Sequence, residues 1–189
     1  NFRNSYNMFC CNGILFNHES PIRGIEFVTR KISDGVAQIF HGKKQNISLG
    51  NIESKRDWGF AGDYVEAMWM MMQNKKSDDY VIATNKQYSI KDFLKVSFAE
   101  IGILNWKNYI KIDANFKRPV DVTSLCGNYD KAKINLGWTP KTSFKELVKM
   151  MVKEDLKRHK KPGAKIKIIR NVKNKENLNI SDVANRFSA

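Results

Sequence analysis

The chain has 189 residues, 42% of them hydrophobic, with four Trp and eleven Phe, which is enough apolar material for one ordinary domain core. Its three cysteines, two of them adjacent at Cys10 and Cys11, have neither the even count of a disulfide framework nor the spacing of a zinc site. A formal net charge of +14 asks for an anionic partner: nucleic acid, a membrane surface or a phosphorylated small molecule.

The opening NFRNSYNMFCCNGILFN has no basic-then-apolar leader with a small-residue cleavage site, so no secretory signal is read. The apolar runs fall short of the roughly 20 residues that span a bilayer. Together with the unpaired cysteines, this suits a cytoplasmic setting without a membrane partner.

Residues 8–16, MFCCNGILF, are a mostly apolar run without clean alternation, which predicts a strand buried on both faces as in a parallel sheet. Asn17 to Gly24 reads as a polar turn containing Pro21. Val28, Ile32, Val36 and Ile39 recur at helical spacing, and Gly42 closes that helix. Ile47 to Leu49 is a short strand. A second helix runs from about Gly59 to Asn74, with Val65, Met68, Trp69 and Met72 as its predicted buried stripe. Its MWMMM run is read as core packing rather than a ligand groove.

Tyr80 to Ala83 is a further short buried strand. Ser89 and Asp92 form a capping-box pair opening a helix with Ile90, Phe93, Leu94, Phe98 and Ile101 on its apolar face, and Gly102 ends it. Trp106 to Ile112 alternates and reads as a strand. Asp130 to Leu136 is a short helix stopped by Gly137. Ser143 with Glu146 is a second capping box, opening a helix that carries Leu147, Val148, Met151, Val152 and Leu156. No internal repeat is present.

Strands alternating with helices predict an α/β protein with parallel pairing. From Lys157 to Lys175 there are nine Lys or Arg and no Asp or Glu. The tail of residues 159–189 is therefore expected to be solvated and poorly ordered, with packing on a partner subunit as the other reading. A nucleic-acid arm is disfavoured because the tail has little aromatic interleaving for base stacking.

Several engines are missing. No Gly-rich fingerprint follows a strand, and no phosphate loop of the G-x-x-x-x-G-K type occurs. The Tyr-x-x-x-Lys spacing is not met at Tyr6, Tyr64 or Tyr88, which are followed four residues on by Cys10, Met68 and Asp92. No Cys and His set has ligand spacing, so no metal site is expected. Chemistry alone describes an anion-binding α/β domain without catalytic residues of its own.

The stretch NGILFNHESP, Asn12 to Pro21, resembles a signature of the GDP-mannose 4,6-dehydratases within the extended short-chain dehydrogenase/reductase superfamily. The resemblance continues through FVTRKI (Phe27 to Ile32), LGN (Leu49 to Asn51), KRDWGFAGDYVEAMWMMMQ (Lys55 to Gln73) and VIAT (Val81 to Thr84). It then takes in YSIKDF (Tyr88 to Phe93), RPVDV (Arg118 to Val122) and KAKINLGWTPKTSFKELVKMMV (Lys131 to Val152). RDW, RP-x-x-V and LGW-x-P are shared across nucleotide-sugar epimerases and dehydratases, whereas NHESP with FVTRKI is specific to the GDP-mannose enzymes.

The resemblance implies an α/β fold: the C-terminal part of a Rossmann-type extended short-chain dehydrogenase/reductase, with an incomplete parallel sheet and a small substrate-binding subdomain. Residues 1–158 would form that portion and 159–189 the basic tail. It also implies residue roles. Asn17 would hydrogen-bond the sugar nucleotide, and His18 and Arg23 would contact NADP. Arg56, in RDW, would grip the diphosphate through the paired donors of its guanidinium. Arg118 would lie near the diphosphate or ribose, and Lys31 would be a further nucleotide contact. Glu19 and Ser20 would line the site or shape its turn, while Trp58 would be core. The family usually has an arginine before the position of Arg23. Here it is Ile22, which removes one basic contact. The family's Tyr-x-x-x-Lys helix precedes the NGILFNHESP strand, with the Gly-rich NADP loop and acidic catalytic residue further upstream, so none of these is assigned among the present residues.

The implied reaction converts GDP-mannose to GDP-4-keto-6-deoxymannose, a step toward GDP-fucose, with NADP accepting a hydride from C4 and returning it at C6 around loss of water across C5 and C6. The resemblance implies a homo-oligomer, dimer or tetramer. The rival expectations are another nucleotide-sugar epimerase, dehydratase or reductase, a non-catalytic basic binding module, and a remnant that binds nothing.

Overall fold

A computed structural model describes residues 1–116, 122 and 124–160. Arg118 and the basic tail from residue 161 onward lie outside the described residues. Six α-helices and nine short strands are present among the described residues. They run α1 (Phe2–Tyr6), β1 (Asn12–Leu15), β2 (Asn17–Glu19), α2 (Val28–Phe40), β3 (Ile47–Leu49), β4 (Lys55–Arg56) and β5 (Trp58–Phe60). Then come α3 (Ala61–Gln73), β6 (Asp79–Ile82), β7 (Tyr88–Ser89), α4 (Ile90–Glu100), β8 (Ile110–Ile112), β9 (Ser124–Leu125), α5 (Asp130–Leu136) and α6 (Phe144–His159).

Pairing is mainly parallel, as the alternation of elements predicts. β1 pairs with β6, β2 with β5 and β3 with β8, all parallel. β4 lies between β7, antiparallel, and β9, parallel. Each parallel pair needs a crossover, and the helices supply it.

The main core lies among α2, α4 and α6. The predicted face of α2 is buried: Ile32 and Val36 are fully covered and Ile39 nearly so. Gly35 on the same helix lets Ile47 approach, since a Cβ there would sit 2.8 Å from Ile47 Cδ1. Both expected capping boxes are formed. Ser89 and Asp92 exchange bonds of 3.1 and 2.9 Å, and Ser143 and Glu146 exchange bonds of 3.3 and 2.8 Å. Each satisfies two N–H groups that a helix start leaves without partners. Trp58 is buried at the centre, with its ring 5.7 Å from that of Phe93 and 6.1 Å from that of Phe144.

A second core joins α3 and α5 to β6. Here the predicted stripe of α3 needs correction. Val65, Met68, Trp69 and Met72 are 61%, 40%, 64% and 56% exposed, while Tyr64, Ala67 and Met71 are buried. The reason is that α3 is apolar on two faces, so spacing alone does not choose between them. The buried face is the one that Asp63 anchors. Its carboxylate accepts from the backbone N–H groups of Lys141 and Thr142 at 3.0 and 2.9 Å, and its carbonyl accepts from Trp138 Nε1 at 2.9 Å. Within MWMMM Met71 is buried and the half-buried Met70 packs against the same core, while Met68, Trp69 and Met72 are exposed, so core packing holds for only part of the run.

Three strand expectations also shift. The run 8–16 forms a strand only over Asn12–Leu15, and Ile14 is 56% exposed rather than covered on both faces. Among the described residues β1 has a strand neighbour on one edge only, β6. Asn17 to Glu19 leave the expected polar turn to pair with β5. The segment Trp106–Tyr109 is a 3-10 turn, and only Ile110–Ile112 extend. Trp106 is buried and Tyr109 lies 5.6 Å, ring to ring, from Phe98. Residues three apart therefore share the packed side, which a strand does not allow.

Candidate functional site

Asn17 and His18 lie on β2, where it runs beside β5. Register places Asn17 opposite Trp58, two positions past Arg56, and His18 opposite Gly59. Asn17 is partly buried, and among the described residues its carboxamide makes no hydrogen bond. His18 Nδ1 is 2.9 Å from the carbonyl of Phe16. A carbonyl only accepts, so Nδ1 donates here. The ring packs on Tyr64, with centroids 5.2 Å apart. Tyr64 is fully buried, and burial, with nearby Asp57, Asp63 and Glu19, holds its phenol well above the usual range.

Glu19 ends β2 and is 2% exposed. It shapes the following turn: Thr29 Oγ1 donates to its Oε2 at 2.7 Å, and Arg23 Nε lies 3.3 Å from the same oxygen. Burial pushes its carboxyl above the ordinary value, against the opposing pull of Thr29 and Arg23. The Arg23 guanidinium stacks 3.5 Å above the Phe27 ring. Its Nε is buried without hydrogen-bond geometry, so the contact with Glu19 is purely ionic. Among the described residues no hydrogen bond or ion pair involves its two terminal nitrogens.

Lys31 and Arg56 hold opposite ends of one segment. Lys31 Nζ sits 3.6 Å above the Phe116 ring. Partial burial, then the neighbouring Lys44, lowers its pKa. Arg56 Nη1 donates to the carbonyl of Val122 at 2.5 Å and to that of Lys55 at 2.8 Å. The stretch between Phe116 and Val122 contains Arg118, which lies outside the described residues. Its expected convergence with Asn17 and Arg56 is thus not visible, whereas the two ends of its segment are seen held by Lys31 and Arg56.

Sequence reasoning missed Asp57, which lies between Arg56 and Trp58 and is fully buried. Its oxygens take hydrogen bonds from Thr84 and Gly127, so it ties β6 and the segment after β9 to the strand carrying Arg56. Its neighbours gave no signal, since it stands between the basic Lys55–Arg56 and the apolar-flanked Trp58–Phe60. It also missed Asp155, fully buried on α6 and held by Arg30, Ser33 and Arg158. Among the described residues no group of acidic, His and Cys side chains forms a metal site, and no helix is long and apolar enough to cross a membrane.

Parallel strand pairs joined through helical crossovers define a class. The structure superposes on RMD from Pseudomonas aeruginosa complexed with NADPH with a TM-score of 0.74 at 16% identity, over 83% of this chain and 52% of that one. It also superposes on dTDP-glucose 4,6-dehydratase from Bacillus anthracis in complex with NAD, with a TM-score of 0.71 at 18% identity, over 83% and 48% of the two chains. The fold is part of an extended short-chain dehydrogenase/reductase of Rossmann type. Within that class the chain belongs to the GDP-mannose 4,6-dehydratase family, whose model, described as GDP-mannose 4,6 dehydratase, matches residues 1–151. GDP-mannose 4,6 dehydratase 1 of Arabidopsis thaliana is 56% identical over 156 residues, which are 82% of this chain and 43% of the relative. The chain thus spans less than half the length of that relative.

Proposed function

We propose that residues 1–158 are the substrate-binding portion of a GDP-mannose 4,6-dehydratase that uses NADP. The observation that carries this reading is the pairing of Lys31 and Arg56 at the two ends of the segment containing Arg118. It occurs in a chain of the GDP-mannose 4,6-dehydratase family.

In this reading Arg56 and Arg118 bind the diphosphate of GDP-mannose, since guanidinium forks match phosphate oxygens. Lys31 adds charge beside the nucleotide, and Asn17 orients the sugar nucleotide from the end of the β2–β5 pair. The residues fit a nicotinamide dinucleotide as well. Arg23 has two terminal nitrogens to offer a phosphate, and His18 on β2 presents a polar ring edge. RMD was solved with NADPH and the Bacillus anthracis enzyme with NAD. The lone basic contact at Arg23, beside Ile22, is assigned to NADP. When bound, the nicotinamide supplies the hydride acceptor for C4 and the donor for C6. The residues of this chain bind, orient and hold charge, and much of the rate in such a reaction comes from positioning.

Calorimetric titration of the 189-residue chain with GDP-mannose and with UDP-glucose tests the reading. Tighter binding of GDP-mannose is expected, with no dehydratase turnover by this chain alone. Equal affinity for the two sugars, or UDP-glucose preferred, contradicts the substrate assignment, and GDP-mannose dehydration by the isolated chain contradicts the division of labour.

A further inference from the structure

We infer that Asp155, near the end of α6, is a positioning residue for the loop 20–24 that carries Arg23, acting through the guanidiniums of Arg30 and Arg158. Asp155 is fully buried. Arg30 Nε donates to both its oxygens, at 3.2 and 3.0 Å, and Arg30 Nη2 donates to Oδ1 at 2.6 Å. Ser33 Oγ donates to Oδ2 at 2.7 Å, and Arg158 Nη1 to Oδ1 at 2.8 Å.

Both guanidiniums also reach the same loop, Arg30 through its other terminal nitrogen and Arg158 through the same Nη1 that meets Asp155. Arg30 Nη1 donates to the carbonyl of Arg23 at 2.9 Å. Arg158 Nη1 donates to the carbonyl of Pro21 at 2.7 Å. The two pinned carbonyls flank Ile22. The turn is closed locally as well, by Arg23 N–H donating to the carbonyl of Ser20 at 3.0 Å. One carboxylate on the last helix therefore sets the backbone from which the Arg23 side chain leaves.

Docking of α6 does not need this charge. Leu147, Val148, Met151 and Val152 are buried and already fix the helix against α2 and α4. Its end is tied separately, by His159 Nε2 at 2.7 Å from Asp34 Oδ1 and by Lys43 Nζ donating to the carbonyl of His159 at 2.9 Å. A buried ion cluster contributes little net stability compared with apolar packing of the same volume, but it enforces geometry. Here the enforced geometry is that of the loop. This inference rests on the reading of Arg23 as a cofactor contact, and the test keeps the two apart.

Hydrogen exchange over peptides covering residues 20–27 is measured in the 189-residue chain and in Arg158→Gln, Arg158→Lys and Asp155→Asn, alongside NADPH and GDP-mannose affinities. Expected in Arg158→Gln is about tenfold faster exchange of the loop amides with α4 unchanged, and about tenfold weaker NADPH binding with GDP-mannose binding preserved. Arg158→Lys, which keeps one donor for the Pro21 carbonyl, is expected to recover most of both. Unchanged loop exchange in Arg158→Gln overturns the proposal. So does faster exchange spread evenly over α2, α4 and α6, or a loosened loop with NADPH affinity intact. If Asp155→Asn does not fold, the two Arg158 variants decide. Absence of NADPH binding by the unaltered chain would sink the cofactor reading of Arg23, and loop exchange alone would then judge the clamp.

Discussion

Asp57 Oδ1 accepts two hydrogen bonds from one residue, Thr84, at 2.9 Å from its backbone nitrogen and 2.6 Å from its hydroxyl. The other oxygen accepts from the Gly127 N–H at 3.2 Å. This fully buried carboxylate joins three segments that sequence separates widely. Asp57→Ala leaves the buried Gly127 N–H and the half-buried Thr84 N–H without acceptors, and each such loss costs about 1–3 kcal/mol. Urea denaturation is expected to show a loss of about 3 kcal/mol or more. A cost near zero would mean that water replaces the carboxylate and that the tie is dispensable.

The two faces of α3 are predicted to behave differently. Met71 is 3% exposed and Trp69 is 64% exposed. Met71→Ala is expected to cost about 2–5 kcal/mol by leaving a cavity. Trp69→Gln is expected to stay within about 0.5 kcal/mol. Thermal or urea melts of the two variants check this, and a reversal would restore the stripe that spacing alone suggested.

Arg56 is expected to separate charge from geometry. Arg56→Ala should weaken GDP binding by about 2 kcal/mol, roughly thirtyfold, the scale of a hydrogen bond to a charged group. Arg56→Lys should recover only part of this, because an ammonium cannot supply two parallel donors. Calorimetry with GDP at two salt concentrations measures both effects. GDP affinity equal in all three proteins would remove Arg56 from the site.

Two buried carboxylates pull the pH dependence of stability in opposite directions. Burial pushes the Asp155 carboxyl up, but hydrogen bonds from Arg30, Ser33 and Arg158 outweigh it and hold the group below its ordinary 3.8. Its contribution is thus complete above pH 3.8 and is lost as pH falls through the lower folded value. Glu19 is raised above its ordinary 4.5, chiefly by burial. Its contribution is complete below 4.5 and is lost as pH rises through the higher folded value. Denaturation midpoints across acid pH should therefore show Glu19→Gln flattening the loss just above 4.5. Asp155→Asn should flatten the loss at lower pH, below 3.8. The same slopes in the variants as in the parent chain would refute the assignment.

What the sequence made legible follows from local chemistry. Both capping boxes, the α2 face and the αL glycines Gly42, Gly102 and Gly137 depend on neighbours within a few residues, and all are found where spacing puts them. The α3 face was misread because its choice depends on Asp63 meeting Lys141 and Thr142, which are distant in sequence. The 3-10 turn at Trp106 was misread because burial beneath α4 overrides alternation. At the site, Arg56, Lys31 and Arg23 came from family motifs rather than from periodicity. Asp57 and Asp155 escaped notice because a buried carboxylate is recognised by its donors, and those come from elsewhere in the chain.

The parallel pairings carry a kinetic consequence. Asn12 meets Asp79, Ile47 meets Ile110 and Lys55 meets Ser124, so dozens of residues must be looped before any of these contacts rewards the chain. Loop closure of that kind places refolding in the slow range typical of topologies dominated by distant partners. During that delay bare strand edges are open to other copies of the molecule. Recovery from denaturant is accordingly expected to fall as protein concentration rises, even where the native state itself is comfortably stable.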